Sequence, residues 1–143
     1  MLNVTARKRP SPKSSPSARK DDGTELKRVR RLCLSIPGTI EKISHGEPTF
    51  FTPKRVFAMF ANNHHDDGHV AVWLPAGPGG QEALVEEAPR TFFRPPYVGS
   101  AGWIGVETSK VDDDRLGSLI REAYQLIVAK DRKARTPARH RNH

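Results

Sequence analysis

The chain has 143 residues, of which 36% are hydrophobic, and a formal net charge of +8. This length and apolar content suit one domain with one modest core. Its apolar runs are far shorter than the roughly 20 residues of a membrane-spanning helix, and the first residues lack the apolar stretch of a secretory signal. Cys33 is the single cysteine, so no disulfide can form within the chain, and we expect a cytoplasmic protein.

The positive charge is concentrated at the two ends of the sequence. Residues 1–20 contain six Lys and Arg and no acidic residue, and residues 130–143 contain six more against Asp131 alone, which leaves a net charge of −3 on residues 21–129. Both ends have too few aliphatic and aromatic residues to offset the entropy of ordering. The sequence predicts disordered tails over 1–22 and 130–143 and a domain over 23–129. The tails either solubilise the domain or add salt-sensitive attraction to phosphates.

The first half of the predicted domain contains one helix and four strands. Asp21 to Thr24 offer N-cap residues, and the helical spacing of apolar residues that follows ends at Pro37 and Gly38. Short β-prone runs then predict strands at 41–45, 49–52, 55–60 and 69–74. Pro53 presets the first central dihedral of a tight turn, so the second and third of these strands are predicted to form a hairpin.

The second half adds a short helix over 81–88, a Pro-rich connection over 94–97, a strand over 102–108 and a last helix. Asp112 to Asp114 cap that helix, whose apolar stripe consists of Leu116, Leu119, Ile120, Ala123 and Ile127. Strand and helix do not alternate regularly. This order favours an α+β fold, with an antiparallel sheet of about five strands and three helices packed on one face.

Alternation along the strands separates the two faces of the predicted sheet. The aliphatic positions, such as Val72 and Ile104, are expected under the helices. The other face carries aromatic and polar residues, namely Phe57, Met59, Trp73, Trp103, His69, Arg55 and Glu107. This face is either an exposed patch that marks an interaction site, or a small second core closed by the loop around Tyr97.

Three motifs with possible chemistry have simpler interpretations. The run HHDDGH over 64–69 contains metal-ligand residue types, but adjacent ligands rarely share one tetrahedral ion, so we expect a polar loop and no metal. The Gly-rich segment 77–80 lacks the Walker ending and is interpreted as the entry to a helix. Ser44 and His45 are neighbours whose side chains would point to opposite faces of a strand, and no other group suggests a nucleophile with its base. We therefore expect no cofactor and no enzymatic activity.

The segments SIPGTIEKISHGEPTFF, KRVFAMF, GHVAVWL, FFRPPYVG and GWIGVE resemble the MmcQ/YjbR family of small bacterial proteins over about residues 25–130. The resemblance implies a CyaY-like α+β fold, with hairpins that have been described as a double wing and proposed to bind DNA. Two departures bear on this: Pro53 stands where family members often have Gly, and the tails are longer and more basic than the family core requires.

The resemblance nominates a DNA surface and leaves two alternatives open. Candidate DNA contacts are Lys42, Lys54, Arg55 and Arg94, and the expected partner is DNA bound with weak sequence preference. One alternative is a small-ligand or drug-binding module whose face comprises His45, Trp73, Tyr97 and Trp103, with Arg94 as a further polar anchor. The other alternative is a protein-interaction adaptor that uses the same patch.

Overall fold

The computed structural model describes residues 20–135, and the side chains of residues 20–133. Residues 1–19 and 136–143, which contain most of the two predicted tails, lie outside the described residues. The helices are α1 (Thr24–Leu34), α2 (Gly80–Glu87) and α3 (Asp113–Arg135). The strands are β1 (Ile40–Ser44), β2 (Glu47–Phe51), β3 (Val56–Asn62), β4 (Val70–Pro75), β5 (Phe92–Phe93) and β6 (Trp103–Glu107). No helix within 20–135 is long and apolar enough to cross a membrane.

The strands form one six-stranded sheet in the order β1-β2-β3-β4-β6-β5, and every neighbouring pair is antiparallel. The three helices pack against it, which confirms the α+β fold. The sheet has one strand more than the sequence predicts, because β5 is too short for alternation to reveal it. In β5, Phe92 pairs with Val106 and Phe93 pairs with Gly105.

The main core lies between the sheet and the helices. The predicted stripe of α3 supplies Leu116, Ile120, Ala123 and Ile127, and α1 supplies Val29 and Cys33. Asp112 caps α3 as predicted, because its carboxylate accepts the backbone N–H of Arg115 at 2.8 Å. Cys33 is fully buried, and burial raises the pKa of its thiol well above the usual range. The thiol is therefore held in its protonated form.

Phe57 does not lie on the open face, where alternation placed it. Phe50 of β2 pairs with Ala58, but the next residue, Phe51, pairs with Val56, so Phe57 is the extra residue of a β-bulge. A bulge shifts the alternation by one position on the strand that carries it. Phe57 is consequently fully buried in the main core, and its ring meets Tyr124 of α3 edge-on at 5.1 Å between centroids.

The ordered domain extends beyond both predicted boundaries. Helix α3 continues past residue 129 to Arg135, so the first part of the predicted C-terminal tail is helical. Before residue 23, the Asp21 carboxylate accepts backbone N–H groups of Gly23, Glu25 and Leu26 at 3.0–3.1 Å. The Asp21 N–H donates to Asn62 of β3, which ties the start of α1 to the sheet.

Candidate nucleic-acid interface and an aromatic cleft

Strand register brings distant parts of the sequence to two ends of the sheet. At one end, Phe51 of β2 lies opposite Val56, and Pro75 of β4 lies opposite Trp103. We call this the basic end, after the cations described below. At the other end β1 turns into β2 at His45, and β3 leads into the loop 63–69. We call this the imidazole end, because His45, His64, His65 and His69 lie there.

At the basic end, a buried threonine organises the turn between β2 and β3. The Thr52 hydroxyl accepts the backbone N–H groups of Lys54 and Arg55, each at 3.1 Å. Lys54 and Arg55 are exposed, as predicted. The Arg55 guanidinium is not a free contact point, however, because its Nη2 lies 2.7 Å from Oδ1 of Asp131 on α3. This ion pair joins the hairpin turn to the last turns of α3.

The other two candidate DNA contacts, Lys42 and Arg94, also make contacts within the domain. The ammonium of Lys42 lies 4.9 Å from the centroid of the Phe51 ring. The Arg94 guanidinium donates to Gln81 at 3.1 Å, and the Gln81 side chain in turn donates to the carbonyl of Trp103 at 2.6 Å. Strand register and these contacts place Lys54, Arg55 and Arg94 at the basic end. Lys42 lies at the middle of β1, opposite Thr49, and its ammonium reaches toward that end over Phe51.

The helical extension of α3 adds cations that the sequence assigned to a tail. Lys130 and Lys133 line a groove of about 510 Å³ together with Trp103 and the Gly-rich segment 77–79. Arg132 is exposed on the same helical segment. When Lys130, Arg132 and Lys133 are counted against Asp131, the net charge moves from −3 for residues 21–129 to −1 for residues 21–133. The domain is thus nearly neutral, with its added positive charge at one end.

A cleft of about 600 Å³ opens toward the imidazole end, on the face of the sheet away from the helices. Its walls combine three imidazoles with an indole, a phenol, a thioether and an isopropyl group, from His45, His64, His65, Trp73, Tyr97, Met59 and Val98. Beside it, Trp73 forms a small second core with Ala61 and Ala71, against which Phe93 and Trp103 pack. The open face is therefore partly closed, with a cleft remaining beside Trp73.

The histidine loop reaches into this cleft and is anchored by a buried carboxylate. Nδ1 of His64 lies 3.0 Å from Oε2 of Glu47, and only 11% and 4% of the two side chains are exposed. The His64 ring also meets the Trp73 ring edge-to-face, with centroids 5.4 Å apart. Trp73 is 2% exposed, and its indole Nε1 has no hydrogen-bond partner among the described residues.

Backbone strain is concentrated at this cleft. Within the described residues, every non-glycine residue with positive φ belongs to a cleft wall or to the loop behind it: His45, Asn63, His65, Asp66 and Tyr97. Tyr97 has φ 64° and ψ −72°, and the N–H of Val98 donates to the carbonyl of Pro96 at 2.6 Å. This geometry is a γ-turn of the rare positive-φ type. Such conformations cost about 1–3 kcal/mol each and persist only where surrounding structure enforces them.

Two polar pairs lie at the imidazole end, and the first differs from the sequence interpretation. Oγ of Ser44 lies 3.1 Å from Nδ1 of His45, because the left-handed backbone of His45 turns its side chain away from strand alternation. His69 contacts the Glu107 carboxylate and stacks on Phe93 at 3.8 Å between centroids. Among residues 20–135, no three His, Cys, Asp or Glu side chains converge as ligands for a metal ion.

The structure separates the predicted ligand face into two parts. His45, Trp73 and Tyr97 line the cleft, whereas Trp103 lines the groove at the basic end. Sequence reasoning did not assign His64, His65 or Val98 to a ligand site. The HHDDGH motif drew attention to the two histidines only as possible metal ligands. It did not predict that they form part of an aromatic wall.

The comparisons with known proteins agree with this fold. The YjbR family model matches residues 34–126. No curated protein matches the chain. A solved structure, that of Deinococcus radiodurans protein DR2400 with a DUF419 domain, superposes with a TM-score of 0.64 at 19% identity, covering 74% of this chain and 80% of that one. That likeness supports the fold alone. The family match spans well over half of the sequence, and the chain belongs to the YjbR family.

Proposed function

We propose that this chain is a non-enzymatic, cytoplasmic DNA-binding protein that contacts phosphates with its basic end. The observation that carries the proposal is the junction between the β2–β3 turn and α3 through Arg55 and Asp131. This junction sets Lys54 beside the cations of the last helical turns. Residues that are far apart in the sequence thus contribute to one positive surface.

The dimensions of the basic end suit a duplex. The strands β2 and β6 are three strand spacings apart, which is roughly 14 Å at about 4.8 Å per strand. Cations along this edge therefore span a distance comparable to the width of about 12 Å of the DNA major groove. Lysine side chains at a hairpin turn and on a helix reach backbone phosphates without reading base edges, which favours weak sequence preference.

The nearly neutral net charge of the domain does not oppose this proposal. Electrostatic attraction to phosphate is local, because exposed charges are screened beyond about 10 Å at 0.1 M salt. Asp66 and Asp67 lie in the loop 63–69 at the imidazole end, whereas the acidic residues of the basic end are Glu82 in the groove and Asp131 beside Arg55. The basic residues of 1–19 and 136–143 add charge in sequence on either side of the domain.

The test is charge reversal in the full chain, with Lys54→Glu and Lys133→Glu combined. Both side chains are exposed, so the fold should be retained. Each lost phosphate contact reduces the slope of log K against log salt by about 0.9 for duplex DNA, so the slope should become shallower by about 2 units. Retardation or fluorescence anisotropy on an arbitrary duplex, over a range of salt, measures it.

The matched control is Arg90→Glu with Lys110→Glu. These residues are exposed and lie near the imidazole end, where Nζ of Lys110 donates to the carbonyl of Arg90. The change in net charge is identical, so a general electrostatic effect would weaken binding equally in both double variants. If the two double variants had equal slopes of log K against log salt, the interface would not be localised at the basic end. The affinity would then depend only on the net charge of the protein.

A further inference from the structure

We infer that the cleft of His45, His64, His65, Trp73 and Tyr97 binds a small planar aromatic molecule that carries a hydrogen-bond acceptor, neutral or anionic. This site is independent of the DNA interface, because it opens toward the opposite end of the sheet. Its volume of about 600 Å³ lies within the range of roughly 300–1,000 Å³ typical of small-molecule sites.

The walls of the cleft select for an aromatic ligand. The rings of His65 and Tyr97 meet edge-to-face at 6.4 Å between centroids, and His64 meets Trp73 in the same manner. Each pair contains a histidine of the loop 63–69, one with Trp73 of β4 and the other with Tyr97, and all four rings line the cleft. Aromatic rings prefer offset or edge-to-face partners at centroid distances of about 4.5–7 Å, so a planar ring gains more here than an aliphatic group of equal area.

The polar groups of the cleft select for an acceptor. An indole N–H is a donor only, and a buried donor without a partner is costly, so an acceptor on the ligand relieves that cost. The Trp73 indole is such a donor within residues 20–135, and because its nitrogen is buried, an acceptor on the ligand reaches it only when a neighbouring side chain moves aside. The lining contains no carboxylate that would attract a cation.

The strained backbone indicates that the cleft geometry is imposed and not incidental. Tyr97 is held in its γ-turn although 73% of its surface is exposed, so burial of the side chain does not explain the conformation. His45 and His65 are held in left-handed conformations on the facing walls. Strain of this kind is concentrated at ligand clamps, where it positions side chains before the ligand arrives.

The probe that tests this inference is 2-naphthoate, added to the full chain labelled with ¹⁵N. The two tryptophans give two indole N–H signals, and Trp103→Phe assigns them. We expect the Trp73 signal to move downfield with saturation, while the Trp103 signal stays in place. The expected dissociation constant is on the order of 1 mM for a ligand of this size. A Trp73 signal that is unmoved at ten times that concentration would overturn the inference.

Two variants and two analogues complete the test. Tyr97→Ala should weaken binding about fivefold, because one aromatic wall is lost, and His65→Ala should weaken it in the same direction. Leu34→Ala removes an exposed apolar side chain of α1 and should leave the affinity unchanged. Cyclohexanecarboxylate should bind more weakly than the naphthoate. Equal binding of that analogue would overturn the aromatic assignment, and tighter binding of naphthyltrimethylammonium would overturn the assignment of charge.

Discussion

The two ends of the sheet use similar residue types in opposite ways. At the basic end, charged side chains remain exposed and are held near the surface by single contacts, as with Lys42 over Phe51 and Arg55 with Asp131. At the imidazole end, one titratable pair is buried: only 11% of the His64 side chain and 4% of the Glu47 side chain are exposed, whereas His45 and His65 are exposed at the cleft. An exposed cation is available to a large, hydrated partner such as a phosphate backbone. A buried imidazole is available only to a ligand that enters the cleft.

This difference follows from the local backbone. The turn at the basic end is a short hairpin, stabilised by backbone N–H groups donating to the Thr52 hydroxyl, so its following side chains project into solvent. The loop 63–69 contains a 3-10 turn over His64–Asp66 with residues of positive φ on both sides of His64. Those dihedrals turn the chain back on itself and direct the His64 ring toward Trp73.

The largest effect that tests this comparison is expected for Gly105→Ala. A Cβ at Gly105 would lie 2.3 Å from the Phe93 ring, so either the ring or strand β6 must move. Overpacking of this kind costs about 1–3 kcal/mol, and we expect about 2–3 kcal/mol of lost unfolding free energy because the contact is with three ring atoms. Urea denaturation measures it.

The matched control is Gly77→Ala near the basic end. A Cβ there meets nothing within 4 Å, and the backbone of Gly77 is outside the positive-φ region. Its effect on unfolding free energy should stay within about 0.5 kcal/mol. If both variants were equally stable, Phe93 would not be fixed against the sheet, and the wall that carries Tyr97 would be looser than the structure indicates.

A smaller but more direct test uses double-mutant cycles to compare the pair His64–Glu47 with the ion pair Arg55–Asp131. Alanine substitutions at His64 and Glu47 should give a coupling energy of about 1–3 kcal/mol, because both side chains are buried. The cycle for Arg55 and Asp131 should give less than about 1 kcal/mol, since 45% of the arginine side chain is exposed.

The salt dependence of the two coupling energies distinguishes the pairs further. At about 1 M salt the screening length falls to about 3 Å, which weakens exposed pairs far more than buried ones. The Arg55–Asp131 coupling should therefore decrease on addition of salt, while the His64–Glu47 coupling should persist. If the two coupling energies decreased equally at about 1 M salt, the two pairs would not differ in burial.

A last expected effect concerns the turn at the basic end. Thr52→Val removes the hydroxyl that accepts two backbone N–H groups, and we expect a loss of about 1–2 kcal/mol in unfolding free energy. Thr52→Ser keeps the hydroxyl and should retain most of the stability. Thermal unfolding of the two variants measures the difference. A valine variant as stable as the serine variant would show that solvent replaces the Thr52 acceptor without cost.

The sequence by itself predicted the three helices, five of the six strands and the buried stripe of α3. Pro37 ends α1, Asp112 caps α3, and the spacing of Leu116, Ile120 and Ala123 predicts the face that α3 buries. These features depend on residues within one or two turns of each other. Local propensity and periodicity are therefore sufficient to find them, and the resemblance to the MmcQ/YjbR family implied the same α+β fold.

Only the tertiary structure decided where the side chains of both sites lie. The bulge that buries Phe57 depends on the pairing of β3 with β2, and periodicity within one strand does not reveal it. Arg55 and Asp131 meet although 76 positions separate them in the sequence, and Glu47 reaches His64 from 17 residues away. Contacts of this range depend on how the elements pack. The sequence therefore nominated the residues, and the fold alone determined that the cations gather at one end while the histidines close a cleft toward the other.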